Sequence, residues 1–250
     1  KRSKEGLPKI FFHTDACQAG GLLDLNVREL GIDLLTINAS KIYGPKQVGM
    51  LYFSKDVLLR PIIFGGGQER NLRSGTENVP GIIGLAKSLE IAQKKKLSEK
   101  KRLKSLCLYI LNRIKKEIPD VIVNGPKDYE DKKGMPLRLP NNINISFKGL
   151  DEKILISFLD KKGICVSSGS ACSSKESHPS HVLLAIGCPK EYIKGTLRIT
   201  LGKRNNKREL DFFIESLKKG VKEIRETTRI TSDLEEIKGS PIDAGCIKMK

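Results

Sequence analysis

The chain has 250 residues, 38% of them hydrophobic, enough to bury a core in one large domain or two modest ones. Its formal charge is +17, but it has no Trp, 5% aromatic residues and no element that mixes basic with base-stacking side chains, so no direct nucleic-acid binding is expected. No stretch approaches the roughly 18 apolar residues of a membrane helix, the opening KRSKEGLPK lacks the apolar core of a secretory signal, and the six cysteines form neither a CxxC pair nor a zinc-like spacing with the three histidines, so a cytoplasmic protein with free thiols, no membrane partner and no metal is expected.

In chain order, KIFFHT (9–14) reads as a strand running into the turn DACQAGG, DLLTIN (33–38) as a second running into ASKIYGPK, and VGMLYF (48–53) as a third after Gly44-Pro45. A short helical piece at 26–31 lies between the first two, which suggests a parallel or mixed α/β sheet. Ligands of such sheets collect at the carboxyl ends of the strands, where Asp15, Gln18 and Lys41 fall. Residues 65–79, GGGQERNLRSGTENV, carry four glycines and no regular period, and read as an ordered functional loop. A helical region follows from about 79 to 117, with a Lys-rich polar break near its middle as a candidate hinge.

Beyond it the pattern predicts strands at 121–125, 142–147, 163–167 and 196–201. It also predicts a helix at 151–163 with Ile154, Leu155, Phe158 and Leu159 on one face, a helix ending at Gly187, and a final amphipathic helix over about 206–225. The domain boundaries expected are 1–93 for a portion of a large α/β domain, 94–229 for a smaller α+β domain, and 230–250 for a tail with no assignment.

Several residues could carry chemistry. Lys41 follows a buried strand and precedes a Gly-Pro turn, a position that suggests partial desolvation and a usable amine; a surface lysine is the plain alternative. Asp15, at the end of the preceding strand, could keep a pyridine nitrogen protonated, and Gln18 could donate to a ring hydroxyl; both could instead cap a helix. Cys172 sits among small residues in VSSGSACSS and reads as a presented thiol, whereas Cys17 and Cys165 read as core fillers and Cys107 and Cys188 as structural. Arg198, in the otherwise apolar and β-branched LRIT, either turns inward to grip an anion or faces solvent from the other side of the strand.

Together the stretches HTDACQAGG (13–21), SKIYGPKQVG (40–49), GGGQERNLRSGTENVPGIIGLAKSLEIA (65–92), VSSGSACSS (166–174) and LRITLG (197–202) resemble, in order, the NifS/IscS group of cysteine desulfurases. These are class V aminotransferase-family enzymes of fold type I. The resemblance implies an aspartate-aminotransferase-like α/β fold, with the C-terminal part of the pyridoxal-phosphate-binding large domain followed by a smaller α+β domain. It implies pyridoxal 5'-phosphate as cofactor, with Lys41 carrying it as a Schiff base and later moving the α-proton, Asp15 on the pyridine nitrogen and Gln18 on the ring hydroxyl. Thr76 would reach the cofactor phosphate of a neighbouring protomer, which implies a homodimer. Arg198 would hold the carboxylate of L-cysteine, and Cys172 would take its sulfur as a persulfide, leaving L-alanine. The long SSGSACSS loop is similar to that of the IscS-like subgroup, which passes sulfur to an acceptor or iron-sulfur scaffold protein for cluster assembly or tRNA thiolation. A selenocysteine lyase-like enzyme is the neighbouring alternative, and the sulfur-accepting cysteine argues against it.

Two departures stand out. Asn38 and Ser40 occupy positions where the family usually has Ser and His before Lys41; both can donate to a phosphate and neither supplies an imidazole. The family's N-terminal portion, with its ring-stacking residue, phosphate turn and further strands, is not present, so a fragment, a truncated product or a non-catalytic partner subunit of such an enzyme is also expected to fit.

Overall fold

The computed structural model describes residues 9–168 and 180–239, with side chains as far as 228. The chain divides into two compact units, Lys1–Arg102 and Leu103–Lys250.

The first unit is built on a three-stranded sheet of order β1-β2-β3, with β1 (His13–Asp15) parallel to β2 (Leu34–Asn38) and β2 antiparallel to β3 (Gly49–Phe53). It is the mixed sheet that the apolar runs predict. In β2 the β-branched and aliphatic residues alternate in burial, with Leu35 and Ile37 in the core beside Ala16, Ile32 and Ile42. The first strand is shorter than its apolar run: only His13–Asp15 pair in register, and Ile10, Phe11 and Phe12 are exposed. Between β1 and β2 lies the single turn α1 (Val27–Leu30), capped by the Asn26 side chain and closed by Gly31 at a φ of 62°.

Within the 65–79 loop a four-residue turn, α2 (Gln68–Asn71), places Glu69, Arg70 and Asn71 in the left-handed region in succession. Three non-glycine residues there cost on the order of 1–2 kcal/mol each, which marks the loop as strained. Helix α3 (Val79–Glu117) then runs unbroken for 39 residues. The Lys-rich stretch is therefore no break in the helix. Lys, Glu, Gln, Ala and Leu are all good helix formers, no Gly or Pro interrupts the sequence after Gly84, and Lys87 and Lys94 both pair with Glu90. In the first unit Leu89 and Ala92 of α3 pack on the sheet core, and Leu85 meets Ala39 and Val48.

The second unit holds a four-stranded antiparallel sheet of order β4-β5-β7-β6, from β4 (Val121–Val123), β5 (Asn142–Phe147), β6 (Ser167–Ser168) and β7 (Thr196–Thr200). Ile143, Ile145 and Phe147 of β5 and Leu197 and Ile199 of β7 point to one face, where Ile110 and Ile114 of α3 also enter the core. Helix α4 (Glu152–Asp160) starts at an Asp151 cap and buries Leu155 and Leu159; Ile154, expected on the same face, is exposed. The short helices α5 (His181–Ala185) and α6 (Lys190–Ile193) follow, and then α7 (Lys207–Gly239), which continues through residues that the sequence pattern left without assignment. Gly220 lets α7 approach α4: a Cβ there would sit 2.7 Å from the Phe158 ring.

Candidate active site

In the first unit the candidate residues gather at one end of the paired strands. Asp15 closes β1 and stands opposite Thr36 of β2; Asn38 closes β2 two residues later, and Lys41 lies on the 3-10 turn Ala39–Ile42 that follows. The turn is held from both sides. Ala39 and Ile42 are buried beneath it, Tyr43 ends it at a φ of 64°, and Gly44 comes so close to α3 that a Cβ would lie 2.4 Å from Ser88 Oγ. Pro45 packs on Gly84 in the same way. Lys41 thus projects from a clamped turn. It is exposed, not partly desolvated as its position suggests, because only its two neighbours turn into the core.

Asp15 is also exposed, and its oxygens are engaged locally. Oδ1 accepts the Cys17 backbone N–H at 2.9 Å. The Cys17 thiol beside the carboxylate, and then that backbone bond, hold the Asp15 carboxyl below the usual range. Burial pushes the Cys17 thiol up to about 11, with Asp15 adding to the rise and Lys41 opposing it. Cys17 is therefore not the plain core filler expected: it is half-buried and faces both Asp15 and, at 3.9 Å, the Thr36 carbonyl. Gln18 is exposed on the following turn.

The two polar residues around the turn are paired with each other. Asn38 Oδ1 accepts from the Ser40 N–H at 2.9 Å and from the Ser40 hydroxyl. The Ser40 proton is thus committed to Asn38, which leaves the Asn38 amide nitrogen as the side-chain donor of this pair. In the strained loop, Gly75 donates to Gln68 Oε1 at 3.0 Å and Arg73 to the Ser74 carbonyl at 2.7 Å, and Thr76 stands exposed beyond them.

In the second unit Arg198 is half-buried on the sheet face opposite Leu197 and Ile199, so it does not turn into this unit's core. Cys172 lies outside the described residues, as does most of the VSSGSACSS loop. Cys165 is exposed, not the core filler expected, because β6 begins only at Ser167. Cys107 and Cys188 are buried. Asn124 and Asn144, beside Arg198 in the sheet, carry no motif, and only the strand pairing singles them out.

The class-V aminotransferase family profile matches residues 3–213. The chain belongs to this family. It is 45% identical over 224 residues to the cysteine desulfurase IscS of Clostridium botulinum, a match covering 90% of this chain and 55% of that protein. It is also 45% identical over 216 residues to IscS of Dictyoglomus turgidum, covering 86% and 53%. Among solved structures, a NifS-like protein superimposes with a TM-score of 0.70 at 33% identity, covering 84% of this chain and 52% of the other. A NifS-like protein from Rickettsia africae gives 0.72 at 31%, covering 84% and 53%. This class-V aminotransferase chain has the fold-type-I architecture of those enzymes and spans about half the length of the curated relatives it matches. Among its described residues no helix is long and apolar enough to cross a membrane.

Proposed function

We propose that this chain carries the catalytic part of a pyridoxal-phosphate-dependent cysteine desulfurase, which converts L-cysteine to L-alanine and takes the sulfur as a persulfide on Cys172. The observation that carries the reading is the meeting of Asp15 and Lys41 at the same end of two paired strands, in a chain 45% identical to IscS desulfurases.

The residues present fit the cofactor. Asp15 is held in its ionised form, as a partner for a protonated pyridine nitrogen must be. Gln18 would contact the ring hydroxyl, and the Asn38 amide and Thr76 would offer hydrogen bonds to the phosphate, with Ser40 holding Asn38 in place. Pyridoxal phosphate, when bound, supplies the electron sink for chemistry at the α-carbon of an amino acid. Lys41 would hold the cofactor and move the α-proton, Arg198 would orient the substrate through its carboxylate, and Cys172 would receive the sulfur as a thiolate. Residues 1–93 would then belong to the cofactor domain and 94–229 to the small domain.

A second copy of the chain belongs to the proposal. Leu58, Ile62 and Phe64 are 93%, 90% and 80% exposed and lead directly into the strained loop bearing Thr76. A run of that kind calls for cover, and a homodimer would supply it while bringing Thr76 to the neighbouring site. The free thiols of Cys17, Cys107, Cys165 and Cys188 support a reducing, cytoplasmic setting. A sulfur acceptor or iron-sulfur scaffold protein would be the next partner.

Full-length protein given pyridoxal phosphate is expected to take on visible absorbance that borohydride bleaches and that Lys41→Ala lacks. Cys172→Ser should keep the colour and lose sulfide release from L-cysteine. A colourless wild type would sink the cofactor reading, and loss of colour in Cys172→Ser would refute the role given to that thiol.

A further inference from the structure

A row of polar side chains crosses the sheet of the second unit. Strand pairing sets Asn144 opposite Arg198 and Arg198 opposite Ser167. The Asn124 N–H donates to the Asn144 carbonyl at 2.9 Å, which extends the β4 ladder one residue past Val123. Directly paired residues share a face, so Asn124, Asn144, Arg198 and Ser167 span all four strands, while Ile143, Ile145, Leu197 and Ile199 turn to the core behind them.

The hydrogen bonds on this face run in one direction. Thr196 Oγ1 donates to the Ile193 carbonyl at 2.9 Å, so the Ser146 hydroxyl is the donor in its 2.6 Å contact with Thr196. The Ser146 oxygen then accepts from Asn124 Nδ2 at 2.7 Å, and the second Nδ2 hydrogen of Asn124 goes to Asn144 Oδ1 at 2.6 Å. Asn124, Ser146 and Thr196 are all buried. Reversing the Asn124 amide would set oxygen against oxygen where water cannot compensate, so the chain of donors is locked. With its oxygen taken, Asn144 has only its Nδ2 hydrogens to offer, on the strand next to the Arg198 guanidinium. An amide donor beside a guanidinium suits a planar carboxylate, which has lone pairs for both.

We propose that Asn144 is a second carboxylate-binding residue beside Arg198, and that Asn124 and Ser146 are positioning residues that keep its amide donor outward. This deepens the desulfurase reading and rests on it: the ligand is the α-carboxylate of an amino acid, and the row selects amino acids over simple amines.

The test uses full-length, cofactor-loaded protein and two ligands followed by absorbance. L-alanine keeps the α-carboxylate and has no sulfur to lose; ethylamine lacks the carboxylate. Asn144→Ala should weaken L-alanine binding by roughly 10- to 100-fold, the worth of a hydrogen bond to a charged group, and leave ethylamine unchanged. Asn144→Asp, which sets a like charge against the ligand, should weaken L-alanine further, and Ser146→Ala, which frees the Asn124 amide to turn, should weaken it less. If Asn144→Ala binds L-alanine as tightly as the wild type while Arg198→Ala does not, the role of Asn144 is overturned and the desulfurase reading stands. If neither variant changes L-alanine binding, the carboxylate site fails as a whole. A second readout does not depend on turnover: in nitrogen-15-labelled protein the Asn144 side-chain amide resonance, assigned by its loss in Asn144→Ala, should shift with L-alanine and stay still with ethylamine. A resonance that ignores both ligands also overturns the proposal.

Discussion

Cys17 grips Asp15 twice, through a backbone N–H that donates to Oδ1 at 2.9 Å and through a thiol beside the same carboxylate. The pair holds Asp15 as an anion at the end of β1, one strand away from the turn that bears Lys41. A residue two positions along the chain thus tunes the carboxylate on which the proposed cofactor chemistry depends.

Removing the thiol in Cys17→Ala should raise the Asp15 carboxyl part-way back toward the ordinary range, since the backbone bond remains, and Cys17→Ser should restore most of the depression. Carbon-13 NMR titration of the carboxyl reads this directly. The sign for stability follows: a depressed folded-state value stabilises above the unfolded value and is lost as pH falls through the folded one. Cys17→Ala should therefore lose a little stability at neutral pH and nothing in strong acid. With its thiol pushed up to about 11, Cys17 should also be alkylated by iodoacetamide after the exposed Cys165. Peptide mapping in which Cys17 reacts first would contradict this geometry.

The Lys41 turn depends on Gly44. In Gly44→Ala the new methyl would lie 2.4 Å from Ser88 Oγ and 3.1 Å from the Ala39 Cβ, an overpacking expected to cost about 1–3 kcal/mol. In a chain of this size that lowers the melting temperature by roughly 2–4 °C per kcal/mol. Ser88→Gly alone should cost about 0.5–1 kcal/mol in helix propensity, and clearly less in the Gly44→Ala background. Additive losses in that cycle would show that the turn and α3 do not meet here.

Burial, followed by the neighbouring Asp151, raises the Glu152 carboxyl at the start of α4. A carboxyl raised in the folded state favours the protonated form there, so its charge works against folding once the pH exceeds the ordinary Glu range. Glu152→Gln should therefore gain a little stability at neutral pH, with the gain fading in acid; thermal melts across pH check it. A loss at neutral pH would mean that the charge at the helix N-terminus outweighs the desolvation.

Much of this protein is legible in its sequence, for local reasons. β2, β3, β5 and β7 fall where alternating or continuous apolar runs place them, since the period of two is written into the residues themselves. Asp15, Gln18, Lys41, Thr76 and Arg198 are each picked out by their motifs. Whatever depends on partners distant in sequence is not legible this way. The Lys-rich stretch of α3 reads as a break because polarity resembles a loop, yet propensity and ion pairs at i,i+3 and i,i+4 carry the helix through it. The residues 9–12 look like strand and only His13–Asp15 are paired, because pairing needs a neighbour as well as a pattern. Cys17 and Cys165 look alike as small thiols beside strands, and only the fold separates the one facing Asp15 from the exposed one.

The sequence by itself determined the family, the strands and the residue types from which a cofactor and carboxylate site can be built, because motifs and periodicity are local. Only the tertiary structure decided that the Ser146 hydroxyl is spent on Thr196 and that Asn124 donates to the Asn144 amide oxygen on the strand beside Arg198. Each of those is a question of which donor meets which acceptor once separate strands and turns have been brought together, and nothing in the spacing of the residues along the chain encodes the answer.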